Sequence, residues 1–219
     1  MTGGDGKTTI AARAAQELRP GEVVNLGIGI PNLIPGLLGD GTNVFLHTEN
    51  GLLGVGPRPA EDELDPDLID AAKKPVTALP GAAYFDSAQS FAMIRGGHID
   101  VAVLGALQVS ISGDIANWAL PGKDVLGVGG AMDLVVGARR VIVTMTAASS
   151  TGEPKIVSEC TYPLTAHGAA DVVVTELSVF RLREGALVLT ELLGDATVEQ
   201  VRGATGAPFD IDLEDRRAA

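Results

Sequence analysis

The chain has 219 residues and a formal net charge of −12, which argues against nucleic acid as a partner because phosphate binding needs clustered Lys and Arg. The length suggests one domain or two small ones; 46% of the residues are apolar but only 4% are aromatic, so Ala, Val, Leu and Ile must build the core. The single cysteine, Cys160, excludes an intrachain disulfide and a thiolate metal cluster, and with no signal pattern and no membrane-length apolar run a soluble cytoplasmic protein is expected.

Thr8 to Arg19 reads as a helix stopped by Pro20-Gly21. Val23 to Leu26 follows as a strand, then the turn Gly27-Ile28-Gly29-Ile30-Pro31 and a short helix from Leu33 to Leu38. A strand over 43–47 delivers Glu49 into a glycine-rich turn marked by Asn50-Gly51. The acidic stretch Glu61 to Asp67 reads as a solvated loop entering a helix near Leu68-Ile69. Val76 to Leu79 is a weak strand ending in a turn at Pro80-Gly81. Asp86 or Ser87 can cap a helix that runs through Arg95 and ends at Gly96-Gly97. Asp100 to Leu104 is β-rich, and Val125 to Gly130 forms a glycine-rich loop before a short helix from Met132. Val141 to Met145 and Val172 to Thr175 are buried strands. Two more, Val179 to Leu182 and Leu187 to Glu191, are joined by a turn at Glu184-Gly185. A helix over Thr197 to Ala204, capped by Thr197 and Asp195, closes the series.

Strands separated by helices predict an α/β protein with a mostly parallel sheet and helices on both faces, a Rossmann-like fold. Ligands in such sheets lie outside the carboxyl ends of the strands. Gly27-Ile28-Gly29, Glu49-Asn50-Gly51 and Gly129-Gly130 all follow apolar runs, so they can meet at one such edge. A carboxylate there can serve as a nucleophile and carry a covalent intermediate; the plainer reading of Glu49 is a solvated loop acid.

Several familiar motifs fail. Gly6-Lys7-Thr8 resembles the end of a phosphate-binding loop, but the position that needs the first glycine holds Met1. Gly27-x-Gly29 and Gly127-x-Gly129 lack the third glycine of a dinucleotide fingerprint, having Asn32 and Met132 there. A nicotinamide protein is therefore a minor alternative. No G-x-S-x-G elbow or H-E-x-x-H is present, and His47, His98 and His167 are too scattered to suggest a metal site.

Ordered blocks are more telling than any single motif. They run Asn25 to Pro31, Glu49 to Pro57, Ser90 to Asp100, Ala116-Asn117-Trp118 with Pro121-Gly122-Lys123, and Gly127 to Leu134. In this order the chain resembles the B subunit of class I 3-oxoacid CoA-transferases, a group that includes succinyl-CoA:3-ketoacid and 3-oxoadipate CoA-transferases. The likeness covers 11–209, leaving 1–10 and 210–219 as expected tails. It implies that Glu49 attacks the acyl-CoA and becomes a glutamyl-CoA thioester. It gives Asn25 and the Gly130 backbone N–H, beside Gly129, to the oxyanion, and Lys73 to the CoA or acid substrate. The bland alternatives are a turn cap for Asn25, a positive-φ turn for Gly130 and a solvated helix lysine for Lys73. Arg95 and His98 are expected to hold structure or an interface, and Trp118 to be core.

The resemblance further implies CoA thioester as substrate rather than a permanently bound cofactor, with succinyl-CoA and either acetoacetate or 3-oxoadipate as the pair. It also implies an A-subunit partner in a heterodimer or heterotetramer, because this chain matches only the B half. Two departures stand out. His47-Thr48 replaces the usual Gln-Ser or Ser-Ser pair, with His47 expected to line the cleft and tune substrate choice. Thr146 to Thr151 lacks the charges usual after Met145. A non-catalytic binding or scaffold subunit of the same fold is the alternative.

Overall fold

The computed structural model describes residues 3–39, 42–122, 127 and 129–213. Helix α1 (Gly3–Ala15) leads into β1 (Val23–Leu26), a 3-10 turn at Ile30–Leu37, and the strands β2 (Phe45–Thr48), β3 (Leu52–Val55) and β4 (Ala78–Tyr84). Next come α2 (Ser87–Arg95), β5 (Val101–Gly105), β6 (Gln108–Ser110), β7 (Ile115–Ala116) and α3 (Ala131–Gly137). The chain continues through β8 (Arg140–Thr144), β9 (Ile156–Val157), β10 (Val172–Val174), β11 (Ser178–Arg183), β12 (Ala186–Leu192), α4 (Val198–Ala204) and β13 (Asp210–Ile211).

Ten strands form one sheet in the order β13-β12-β11-β10-β8-β5-β1-β2-β3-β4. Its centre, β10-β8-β5-β1-β2, is parallel throughout. Antiparallel pairings flank it on both sides. From β1 the chain goes to β2 on one side and later returns to β5 on the other. That reversal makes a crevice at the carboxyl ends of β1 and β5, the place where open α/β sheets take ligands.

The strands alternate strictly between two cores, as a period of two requires. Val24, Val101, Val103, Ile142, Val172 and Val174 pack on the α1 side with Ile10, Ala11 and Ala14. Ala102, Leu104, Val141, Val143 and Val173 pack on the opposite side with Ile94 of α2, Leu134 of α3 and Val201 of α4. Both faces are thus covered, which is why the central strands read as unbroken apolar runs.

Some expectations need correction. Helix α1 starts at Gly3 rather than Thr8, and Ile10 is fully buried, so the helix ahead of residue 11 is part of the folded body rather than a tail. Asp210–Ile211 pairs with β12, extending the body beyond 209 as well. No helix forms near Leu68-Ile69; Ile69 instead bridges Pro75. Asp70 Oδ1 accepts from the Lys74 backbone N–H at 2.8 Å, a local bond that competes with helix. The expected turn at Pro80-Gly81 lies inside β4, and a proline is tolerated there because β4 is an edge strand. Lys123 and the run Val125, Leu126 and Val128 lie outside the described residues.

One ionic cluster ties α1 to the sheet. Glu17, 8% exposed, accepts a two-pronged bond from Arg181, Nη2 to Oε1 at 2.8 Å and Nη1 to Oε2 at 3.1 Å. Arg13 Nη2 reaches it at 2.9 Å and Arg140 Nη1 at 3.6 Å. Burial alone would raise the Glu17 pKa, but the bonds and charges of Arg181 and Arg13 hold it below the usual carboxylate value. Glu17→Gln is expected to cost about 1.5–3 kcal/mol by removing the charged acceptor that Arg13, Arg140 and Arg181 share. Because the folded pKa is depressed, Glu17 stabilises fully above the unfolded carboxylate pKa, and that contribution is lost as pH falls through the folded value. Urea unfolding at about pH 7 and about pH 3 should show the gap between wild type and variant narrowing in acid.

Candidate active site

The parallel register of β1 and β2 sets Asn25 directly beside His47. Both side chains are buried, Asn25 at 0% and His47 at 3% exposure. His47 is near the end of β2, and the chain then turns through Glu49-Asn50-Gly51 into β3. Glu49, half-buried at this turn, meets Asn25, whose Nδ2 donates to Glu49 Oε2 at 3.1 Å.

Gly51 makes this turn possible. Its φ is +127°, and a Cβ there would overlap the Phe85 carbonyl oxygen. The close approach lets Phe85 N–H donate to Gly51 O at 3.0 Å. Thr48 Oγ1 donates to Asn50 Oδ1 at 2.8 Å and accepts from Ala71 N–H at 2.9 Å. Asn50 Nδ2 donates to Ile69 O at 2.8 Å. The Glu49 turn is therefore clamped to the 69–71 segment, and the carboxylate is held on a fixed backbone.

Asn25 Nδ2 also lies 3.0 Å from His47 Nδ1, and His47 Nε2 lies 3.2 Å from Ser90 Oγ on α2. The Phe85 ring stacks on His47, with centroids 5.7 Å apart and planes 11° from parallel. Burial lowers the His47 pKa to about 4, so the ring is neutral near pH 7. Asn25 Oδ1 is buried without a hydrogen-bond partner among the described residues, a deficit of the kind that costs about 1–3 kcal/mol. Asn25 is therefore a strand residue committed to its NH2 side, and not a turn cap.

Gly130 also reaches the site. It precedes α3 with φ −83°, so it is not the positive-φ residue of this turn; that is Gly129, at +57°. A Cβ on Gly130 would stand 3.2 Å from Phe91 Cζ and 3.5 Å from Glu49 Cγ. Glycine here lets backbone lie against the Glu49 side chain. Lys73 is an exposed residue of the Asp70–Lys74 turn rather than of a helix, with a left-handed φ of 62°. That turn adjoins the 69–71 segment on which the Glu49 turn is clamped.

Of two hollows in the fold, one is bordered by His47 and Thr48 and the other by none of the residues above. A 290 Å³ crevice at the carboxyl ends of β1, β5 and β8 is lined in part by Lys7, Ile28, Asn117, Thr146 and Lys155. Burial lowers the Lys155 pKa, with Glu176 opposing the shift. A 510 Å³ cavity under the 3-10 turn is mostly apolar and is bordered by His47, Thr48, Arg58 and Lys74.

The other singled-out residues lie apart. Arg95 pairs with Asp133 at 2.6 Å. His98 is exposed. Trp118 is half-buried and donates from Nε1 to Leu164 O at 3.2 Å. Burial raises the Cys160 thiol to about 11, a protonated group and a poor nucleophile at neutral pH. Among the described residues, no group of His, Cys, Asp and Glu is arranged to hold a metal ion, and no helix is long and apolar enough to cross a membrane.

Sequence reading missed Ser90 and Phe85. Ser90 stands four residues before the fully buried Ile94, so helical spacing marks it as inward-facing. Nothing local marks Phe85, whose role depends on β4 pairing with β3.

The chain is similar to known proteins over nearly its whole length. The Coenzyme A transferase family model matches residues 7–204. The chain is 50% identical over 215 residues to the beta chain of the acetate CoA-transferase of Escherichia coli (strain K12), covering 97% of this chain and 98% of that protein. It is 48% identical over 207 residues to the B subunit of the succinyl-CoA:3-ketoacid coenzyme A transferase of Helicobacter pylori, covering 94% of this chain and all of that one (100%). Among solved structures, the acyl-CoA transferase apoenzyme of Escherichia coli O157:H7 matches with a TM-score of 0.78 at 22% identity, a likeness of fold. The match spans 96% of this chain and 43% of that one.

Proposed function

The chain belongs to the coenzyme A transferase family, and from that membership we propose that it is the B subunit of a 3-oxoacid CoA-transferase. In this reading it moves CoA from succinyl-CoA to acetoacetate or 3-oxoadipate, with Glu49 as nucleophile. The observation that carries the reading is the Glu49 carboxylate at the carboxyl end of β2, met by the Asn25 NH2 at 3.1 Å.

The chemistry follows from what a carboxylate can exchange. A Glu49 oxygen attacks the thioester carbonyl, the C–S bond breaks, and CoA leaves as thiolate with a mixed anhydride behind it. The thiolate then attacks the Glu49 carbonyl carbon. The C–O bond to the acyl group breaks, succinate leaves as carboxylate, and Glu49 carries CoA as a thioester. The 3-oxoacid carboxylate enters and the same steps run in reverse, with no net gain or loss of protons or water. Each tetrahedral intermediate bears an oxyanion. Asn25 Nδ2 and the Gly130 backbone N–H, set by the turn at Gly129, are the donors we assign to it. A preorganised donor of this kind is worth roughly 3–4 kcal/mol.

Lys73 supplies positive charge for the acid substrate or CoA, and the lysine-lined crevice at the β1/β5 reversal offers room for the CoA arm. No resident cofactor is needed, since thioester and carboxylate exchange without one. The site is completed by an A subunit in a heterodimer or heterotetramer, acting in the cytoplasm. The subunit designations of the relatives support this arrangement. The purified chain should be inactive alone and gain transferase activity when co-purified with its A partner. Turnover by the single chain would overturn the two-subunit reading.

A further inference from the structure

We propose that His47 and Ser90 are positioning residues that keep the NH2 of Asn25 turned toward Glu49 throughout the transfer, including the steps in which Glu49 is acylated. The inference rests on the reading of Glu49 as nucleophile. It arises from three hydrogen bonds in series, Glu49 to Asn25 at 3.1 Å, Asn25 to His47 at 3.0 Å and His47 to Ser90 at 3.2 Å.

The protons in this chain are determined by its ends. Glu49 as a carboxylate only accepts, so the Asn25 atom facing it must be Nδ2. The same Nδ2 faces His47 Nδ1, which therefore presents a lone pair. A neutral imidazole with a bare Nδ1 carries its proton on Nε2. That Nε2–H donates to Ser90 Oγ, on the fully buried face of α2. The low pKa of the buried ring agrees with a neutral imidazole, and the Phe85 stack fixes the ring plane.

The need for such a device comes from Asn25 itself. Its Oδ1 is buried and unpartnered among the described residues, so nothing on that side holds the amide. While Glu49 is charged, its attraction for the NH2 suffices. Once Glu49 becomes an anhydride or thioester the charge is gone, and a turned amide would lose little there. His47 then supplies the restraint. A turned amide would set Oδ1 against the Nδ1 lone pair, acceptor against acceptor. Ser90 maintains this by accepting from Nε2–H, which disfavours the tautomer with a protonated Nδ1.

The test uses the assembled pair with its A subunit. His47→Phe keeps a ring to stack on Phe85 but removes the acceptor. It should lower kcat by about ten- to a hundredfold, short of the roughly 10²–10³-fold effect of losing a donor outright, while KM for the acyl-CoA changes less than about threefold. His47→Gln restores an acceptor for Asn25 and a donor for Ser90, and should recover most of kcat. Long-range ¹H–¹⁵N spectra of the histidine-labelled wild type should show Nε2 protonated and Nδ1 bare near neutral pH, with Ser90→Ala raising the Nδ1–H fraction. A protonated Nδ1 in the wild type would overturn the proposal even if His47→Phe fails to fold. So would wild-type kcat in a folded His47→Phe pair. Full turnover by Glu49→Gln would instead sink the nucleophile reading, with the His47 tautomer still readable from the spectra.

Discussion

Replacing Glu49 with Gln is expected to lower kcat of the assembled transferase by roughly 10⁴–10⁶-fold, the scale on which loss of a covalent nucleophile reads out. The substitution keeps size and shape, and the amide oxygen can still accept from Asn25 Nδ2, which stands 3.1 Å from Glu49 Oε2. What it removes is the oxygen nucleophile that exchanges acyl groups, so no anhydride or thioester can form. Glu49 is half-buried at a turn clamped by Thr48 and Asn50. The variant should therefore fold and bind its partner with a melting temperature close to wild type. Steady-state kinetics beside a thermal melt checks both halves. A comparable loss of stability would point to a structural acid instead.

Asn25→Asp is expected to lower kcat/KM by roughly 10²–10³-fold near neutral pH. The change is nearly isosteric, yet it puts a carboxylate oxygen where Nδ2 stands, 3.1 Å from Glu49 Oε2 and 3.0 Å from His47 Nδ1. Both donors vanish, and two carboxylates this close resist ionising together. The pair then titrates jointly, with one proton held to higher pH than either acid would hold alone. When protonated, the introduced carboxyl regains one O–H donor. The deficit relative to wild type should therefore shrink as pH falls, a trend that a pH–rate profile of the two enzymes would display. A deficit independent of pH would mean that Asn25 acts by packing alone.

Much of the fold was legible because the central strands are buried on both faces. Val141 to Met145 and Val172 to Thr175 carry no charge, and the helix after Asp86 begins where its cap demands. The Asp86 side chain accepts from Gln89 N–H at 2.8 Å. Thr197 likewise caps its helix as read, with Gln200, rather than Asp195, as the second member of the cap. What escaped was structure created by pairing. Strands β6, β7 and β9, two or three residues each, are too short to show a period. Strand β4 runs through Pro80-Gly81 because it lies at an edge, which sequence does not reveal. Glu49 was legible as a strand-end carboxylate in an Asn-Gly turn. Asn25 came from an ordered block of residues, not from local pattern. That it sits beside His47 depends on the β1/β2 register, and that His47 meets Ser90 depends on how α2 docks, 43 residues further along.

Everything proposed for the site depends on Glu49 carrying CoA as a thioester. The pair of this chain and its A subunit should be incubated with succinyl-CoA, reduced with borohydride and digested, and the mass of the peptide containing Glu49 determined. A reduced, modified Glu49 together with loss of transferase activity is the expected result. An unmodified Glu49 peptide from an assembled pair that still binds CoA would rule the thioester out, and would return Glu49 to the role of a loop acid in a binding module.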